Sequence, residues 1–128
     1  MRGAFATPPD WRARARSFAH ALRGVRVLLS TQPNARLHLA ATLMVVGLGA
    51  YFPFSRADWC WVMLAMVGVW AAEALNTAIE CLCDVVSPEF NPHIRRAKDV
   101  AAGAVLIAAG GALVIGALVI LPHLAARD

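Results

Sequence analysis

The longest uninterrupted run of uncharged, mostly apolar residues constrains the fold more than any other feature of this sequence. Residues 100–121 contain no charged side chain, and Pro122 follows them. A helix needs about 20 predominantly apolar residues to cross the hydrocarbon core of a bilayer. Because residues 97–121 reach that length, the sequence predicts a membrane-spanning helix there, which Pro122 ends.

Two further segments have the length of a span. Residues 35–52 predict a helix of roughly 27 Å, just enough to cross. Residues 59–86 predict a longer helix, and its Trp59 and Trp61 are typical of the membrane interface. Of the 128 residues, 59% are hydrophobic and 16% are charged, which is outside the usual range of soluble domains. We therefore expect an all-α membrane protein, with one domain covering residues 1–128.

The segment before the first span is basic and amphipathic. In residues 11–30 apolar side chains recur at helical spacing with arginines around them, which predicts a helix lying in the membrane interface. Residues 1–10 predict a frayed tail, and Pro33 separates the surface helix from the first span. Arg36 and His38, at the start of that span, are expected to reach the head groups. The arginines favour an anionic bilayer surface as partner and argue against nucleic acid.

Lysine and arginine residues are unevenly distributed along the chain. Ten lie before or at the start of the first span, or between the second and third spans and at the start of the third, whereas one lies in the first turn and one at the C-terminus. Loops rich in lysine and arginine stay in the cytoplasm. We expect the N-terminus and the second loop to be cytoplasmic and the C-terminus to lie outside.

The second span ends in a stripe of polar side chains on one helix face. At 100° per residue, Glu80 and Asp84 each lie about 20° from Glu73 around the axis, and Asn76 and Thr77 lie within about 60°. Carboxylates near a bilayer are costly, so they normally face a bundle interior or a water-filled site and mark function. The alternatives are a structural network between helices for Glu73 and a helix end in water for Asp84.

Basic residues begin the third span at the same membrane level. The sequence there is Arg-Arg-Ala-Lys-Asp over residues 95–99. Carboxylate oxygens hold Mg²⁺, and lysine neutralises phosphate oxygens, so the two segments together predict a site for a metal–polyphosphate substrate. A plain inside-positive anchor is the alternative for Lys98. The sequence contains no Walker loop and no soluble-kinase motif.

The two motifs together resemble one protein family. Glu73-Ala-Leu-Asn-Thr-Ala-Ile-Glu80-x-x-x-Asp84, followed by Ala97-Lys98-Asp99-Val-Ala-Ala-Gly-Ala-Val105, is similar to the prokaryotic diacylglycerol kinases, which include the undecaprenol kinases. The resemblance implies a homotrimer in a bacterial inner membrane, with active sites between subunits on the cytoplasmic side. It also implies transfer of the γ-phosphate of ATP to the hydroxyl group of a membrane lipid alcohol.

The resemblance further implies roles for individual residues. Glu73 would be the general base and Glu80 a Mg²⁺ ligand, while contacts to the nucleotide and phosphate are implied for Asn76, Asp84, Glu89, Lys98 and Asp99. The family often has a second metal-binding glutamate where this chain has Gln32. A neutral amide oxygen can still bind a metal, but with less charge, so the number of metal ions stays open.

The acceptor lipid is the least determined part of the prediction. Residues 34–38, residues 99–103 and Pro122 look more like undecaprenol kinases, so undecaprenol ranks ahead of diacylglycerol, whose product would be phosphatidic acid. Two other functions stay open. One is a binding or transport module whose carboxylates carry protons or cations. The other is a non-catalytic homologue, which Gln32 in place of glutamate would favour.

Overall fold

Four helices make up the part of the chain that the computed structural model describes, residues 11–126, and no strand occurs within it. They are α1 (Trp11–Thr31), α2 (Pro33–Tyr51), α3 (Arg56–Val86) and α4 (Pro92–Ala125). The predicted all-α class is confirmed. The predicted frayed tail over residues 1–10 lies outside the described residues.

The break between α1 and α2 is a single residue, Gln32, and Pro33 causes it. Gln32 is extended, with φ −103° and ψ 114°, as expected for a residue before proline. Because Pro33 has no N–H, the carbonyl of Leu29 lacks its helical donor. Arg36 supplies the missing donors: its Nε donates to the Leu29 carbonyl at 3.0 Å and its Nη2 to the Ser30 carbonyl at 2.6 Å. Arg36, expected to reach the head groups, thus closes the end of α1 with its guanidinium while remaining exposed.

Both long helices begin earlier than the hydropathy pattern predicts, because caps precede them. Ser55 and Asp58 form a capping box at the start of α3: Ser55 Oγ accepts the Asp58 N–H at 3.1 Å, and Asp58 Oδ2 accepts the Ser55 N–H at 2.8 Å. At the start of α4, Asn91 Oδ1 accepts the His93 N–H at 2.9 Å. Pro92 then occupies the first helical position, where its missing N–H costs nothing.

Pro122 does not end α4, contrary to the prediction. The helix continues through it to Ala125, and the Ala126 N–H donates to the Pro122 carbonyl at 3.1 Å. Proline removes only one donor from a helix, and membrane helices tolerate that loss. His123 lies just beyond, with its Nδ1 2.8 Å from the Val119 carbonyl.

Helices α3 and α4 pack against each other along the bundle, and both are long and apolar enough to cross a membrane by length and composition. Among the described helices α2 does not reach the same hydropathy, because Asn34, Arg36 and His38 lie in its first turns. The first of the three predicted spans, residues 35–52, therefore stays a prediction. Much apolar surface remains exposed on α4, for example Leu106 at 75% and Ile107 at 78%. Such surface requires lipid or another chain to cover it.

An aromatic cluster closes the end of the bundle where α2 ends and α3 begins. It consists of Phe52, Phe54, Trp59 and His123, with Phe54 5.5 Å from Trp59 and 5.1 Å from His123 between ring centroids. Gly49 faces this cluster, and a Cβ there would lie 2.6 Å from the Trp59 ring. Glycine is thus required at position 49 for the close approach of α2 to the Trp59 ring.

Candidate functional site

The polar stripe on α3 runs from the interior to the surface. Glu73 is 1% exposed, Asn76 6% and Thr77 7%, whereas Glu80 is half-buried and Asp84 is exposed. Over these residues the helix rises roughly 16 Å. Glu73 is therefore the most buried of the three carboxylates. A carboxylate buried this far normally has a paired charge or a functional role.

His38 of α2 faces Glu73. Its Nε2 lies 3.8 Å from Glu73 Oε2, and its side chain is 15% exposed. Both atoms are buried, and neither has a hydrogen-bond partner among the described residues. The expectation that His38 reaches the head groups is therefore wrong. Sequence reasoning missed its part in the site, although a titratable residue within an apolar helix was the available signal.

Asn76 organises the next turn of the stripe. Its Nδ2 donates to Glu80 Oε1 at 3.1 Å, so one oxygen of the Glu80 carboxylate is held in place. The Asn76 Oδ1 has no hydrogen-bond partner in residues 11–126. Asn76 also lines a groove of about 760 Å³ between α3 and α4, with His93 and Arg96 on the opposite side. The predicted site residues did not include His93 and Arg96, although both belong to the basic start of α4.

The oxygen atoms of this stripe suit a magnesium ion. Mg²⁺ takes oxygen ligands and is usually held by one or two carboxylates together with substrate phosphates and water. Glu80, with one oxygen fixed by Asn76, fits that requirement. No cluster of three histidine, cysteine, aspartate or glutamate side chains that could hold a metal occurs among the described residues. The predicted second ligand, Gln32, caps α2 with its backbone, and its side chain makes no hydrogen bond within the described chain, so nothing joins it to Glu80.

Lys98 joins the exposed end of the stripe to α4. Its Nζ lies 2.5 Å from Asp84 Oδ1, with the lysine side chain 36% exposed and that of the aspartate 68%. Lys98 is therefore directed back onto α3 rather than away from the protein as a plain anchor. The pair places a cation beside the carboxylates, as a polyphosphate site requires.

Two predicted nucleotide contacts stand apart from the stripe. Glu89 lies exposed in the loop between α3 and α4, where its backbone carbonyl accepts the Ser87 hydroxyl at 3.1 Å. Asp99 is exposed one residue after Lys98. Neither carboxylate has a hydrogen-bond or ion-pair partner within residues 11–126. Within one chain the structure brings together Glu73, Asn76 and Glu80, and separately Asp84 and Lys98.

Comparison with known sequences decides the family. The sequence profile described as "Prokaryotic diacylglycerol kinase" matches residues 19–120, which include the whole stripe and Lys98. The chain belongs to the prokaryotic diacylglycerol kinase family. The resemblance seen in the two motifs is thereby confirmed, and with it the class of a prokaryotic lipid kinase.

Two members of this family illustrate the range of relatives. The chain is 38% identical over 109 residues to undecaprenol kinase of Bacillus subtilis (strain 168). That match covers 85% of this chain and 89% of the Bacillus protein. The chain is 34% identical over 109 residues to diacylglycerol kinase of Synechocystis sp. (strain ATCC 27184 / PCC 6803 / Kazusa), covering 84% of this chain and 62% of that protein. The two relatives are named for different lipids, so family membership leaves the acceptor open.

Proposed function

We propose that this protein transfers the γ-phosphate of ATP to the hydroxyl group of a membrane lipid alcohol, with undecaprenol preferred over diacylglycerol. The observation that carries the proposal is Glu73, a carboxylate 1% exposed with an unpaired oxygen among the described residues. It lies on one helix face with Asn76 and Glu80 in a chain of a lipid-kinase family. A lipid hydroxyl anchored in the bilayer would reach the depth of Glu73, whereas ATP would approach from the exposed end of the stripe.

Glu73 acts as the general base in this proposal. It accepts the proton of the lipid hydroxyl as the oxygen attacks the γ-phosphorus, and the bond to the β-phosphate oxygen breaks. Phosphoryl transfer has a loose transition state, so positioning of the hydroxyl contributes as much as proton removal. A buried carboxylate beside the hydroxyl would contribute to both the positioning and the proton removal.

Glu80 would hold the magnesium ion, with Gln32 as its second protein ligand. When bound, the ion neutralises charge on the phosphate oxygens. Asn76 keeps one Glu80 oxygen in place through its 3.1 Å hydrogen bond. Lys98, with Asp84, Asp99 and Glu89, would contact the nucleotide, and Arg96 beside Asn76 in the groove adds a further positive charge near the phosphates.

The homotrimer belongs to the same proposal. Two observations support a site completed by another copy. The apolar faces of α2 and α4 are exposed, and within the described residues the side chains of Asp99, Glu89 and Gln32 make no hydrogen bond or ion pair. An active site on the cytoplasmic side of a bacterial inner membrane is supported by the basic residues before α2 and at the start of α4.

Two observations favour undecaprenol as the acceptor. The identity to undecaprenol kinase is 38% against 34% for the diacylglycerol enzyme, and the match covers 89% against 62% of the relative. Diacylglycerol, with phosphatidic acid as the product, is the second candidate. Transport of protons or cations by the carboxylates is supported only by their burial.

One assay tests the proposal and its alternatives. Protein purified in detergent is incubated with Mg²⁺, labelled ATP and, in parallel, undecaprenol, diacylglycerol or ceramide, and label in the extracted lipid is counted. We expect labelling to be fastest with undecaprenol and to require Mg²⁺. Labelling of none of the lipids, together with proton flux in vesicles, would replace the kinase with the transport function.

A further inference from the structure

We infer that His38 is a positioning residue of the phosphoryl transfer, which holds one carboxylate oxygen of Glu73 so that the other oxygen faces the acceptor hydroxyl. The inference rests on the proposed function and deepens it. Neither the family motif nor the spacing of the stripe includes His38, which lies on a different helix. The residue enters only because the fold places α2 beside α3.

The geometry of the pair supports a direct hydrogen bond. His38 Nε2 and Glu73 Oε2 are 3.8 Å apart, in side chains 15% and 1% exposed. A nitrogen–oxygen hydrogen bond is about 2.7–3.2 Å long, so a shift of about 1 Å in either side chain closes it. Both atoms are buried without another partner among the described residues, and leaving such atoms unpaired is costly. A hydrogen bond formed by that shift would satisfy both atoms at once.

No other charged side chain competes for His38 on the described helices packed around it. On α2 itself, Arg36 is engaged with the last carbonyls of α1. On α3, Trp70 donates to Thr42 at 3.1 Å and Asn76 donates to Glu80. The buried acceptors left on α3 are the Glu73 carboxylate and two neutral groups, Asn76 Oδ1 and the Thr77 hydroxyl. The α4 residues that line the groove beside His38 are apolar, among them Ala109, Ala112 and Leu113.

A hydrogen bond from His38 would orient the Glu73 carboxylate for its role as a base. A carboxylate held by nothing can rotate, and its lone pairs then point at the hydroxyl only part of the time. A base oriented by a second group recurs in enzymes that activate a hydroxyl, and misplacement of a reacting group by 1 Å can cost about 10²-fold in rate. A ring N–H on one Glu73 oxygen fixes the plane of the carboxylate. It thereby leaves the second oxygen available as the base.

Two variants of His38 separate positioning from simple packing. His38→Leu fills a similar volume but donates no hydrogen bond, whereas His38→Gln retains a donor at similar reach. We expect His38→Leu to lower kcat at least about tenfold with the KM for ATP within about twofold, and His38→Gln to stay within about threefold of wild type. His123→Gln is the matched control, because His123 Nε2 also lies 3.8 Å from a carboxylate, that of Asp58, at the other end of α3. It should leave kcat unchanged.

A double-mutant cycle with Glu73→Gln completes the test. If His38 acts through Glu73, the double variant His38→Leu/Glu73→Gln turns over within about twofold of Glu73→Gln alone. Thermal unfolding of the same four proteins in detergent should also show coupling between the two positions, independently of activity. Additive losses in kcat, or equal losses in the Leu and Gln variants of His38, would reduce His38 to a packing residue.

The failures of the two proposals can be told apart. An active wild type whose His38→Leu variant matches it in kcat overturns the role of His38 and leaves the kinase intact. A wild type that labels no lipid overturns both, even if unfolding shows that the two residues are coupled.

Discussion

Lys98 of α4 donates a hydrogen bond to Asp84 of α3, with 2.5 Å between Nζ and Oδ1. The bond crosses the short loop between the two longest helices and leaves both side chains partly in solvent. An exposed pair of this kind contributes little to stability, because water screens it. The arrangement therefore matters more for directing a cation toward the carboxylates of α3 than for holding the hairpin together.

Removing the Lys98 charge should damage catalysis far more than folding. We expect Lys98→Met to lower kcat/KM for ATP by about 10²-fold, because the developing phosphate charge loses a partner. The free energy of unfolding should change little, because the ion pair with Asp84 is exposed to solvent. Arg95→Met, which removes a neighbouring exposed charge, is the control and should stay within about twofold. Equal losses in both variants would indicate a general effect of positive charge.

Glu73 should be essential for turnover and dispensable for assembly. Glu73→Gln keeps the size of the side chain but removes the base, so we expect turnover to fall by about 10²-fold or more. Nucleotide binding and the oligomer size in detergent should be unchanged. Turnover within about threefold of wild type would exclude Glu73 as the base, and dissociation into monomers would support a structural network instead.

Two opposite substitutions test the predicted metal ligands. Glu80→Gln can still accept the hydrogen bond from Asn76, so packing is preserved while a charged oxygen is lost. We expect turnover to fall by about 10²-fold and the Mg²⁺ concentration at half-saturation to rise. Gln32→Glu should lower that concentration by adding a charged ligand. Identical Mg²⁺ titrations in wild type and both variants would show that neither residue binds the ion.

Gly49 should not tolerate a side chain. A Cβ would lie 2.6 Å from the Trp59 ring and 2.8 Å from the Phe54 ring, and these rings pack on each other and on His123, so neither can move freely. We expect Gly49→Ala to destabilise the protein by about 1–3 kcal/mol. Gly47→Ala, on the same helix with nothing within 4 Å of the new Cβ, should be neutral or stabilising. Thermal unfolding in detergent measures both, and equal shifts would contradict the packing argument.

The direction of insertion can be tested with topology reporters. A reporter fused after Asp128 should be active outside the cytoplasm, and one inserted near Pro92 should be active inside. Ten of the twelve basic residues lie before or at the start of the first predicted span, or between the other two spans and at the start of the third. The reverse pattern would separate the proposed nucleotide site from ATP and would end the kinase proposal.

The sequence predicts those features that depend on local periodicity. A rotation of 100° per residue is enough to place Glu73, Asn76 and Glu80 on one helix face, and the long uncharged runs predict α3 and α4. The cap residues Ser55 and Asn91 lie outside the hydropathy pattern, so both helices start earlier than predicted. Likewise, whether Pro122 ends α4 depends on whether the helix continues after it, and the local sequence does not indicate that.

The parts of the site that escaped prediction depend on contacts between helices. Whether His38 faces Glu73 or the head groups depends on how α2 is rotated about its own axis. The weak amphipathicity of α2 leaves that rotation undetermined. Arg36 resembles an interfacial anchor in the sequence because its true partners, two backbone carbonyls, are created by the Pro33 break itself. The predicted roles of Asp99 and Glu89 involve ATP, so they stay predictions.

The one-residue junction at Gln32 couples α1 mechanically to α2. The carbonyls of Leu28, Leu29 and Ser30 are all occupied, the first by the Gln32 N–H and the other two by Arg36. These hydrogen bonds brace the junction, so α1 and α2 are not free to rotate relative to each other there. If α2 crosses the membrane as predicted, a bilayer whose thickness differs from the length of α2 would tilt that helix, and α1 would move with it. Lipid composition would then alter the position of the amphipathic helix α1 relative to the proposed active-site end of α3, without a change in any side chain of that proposed site.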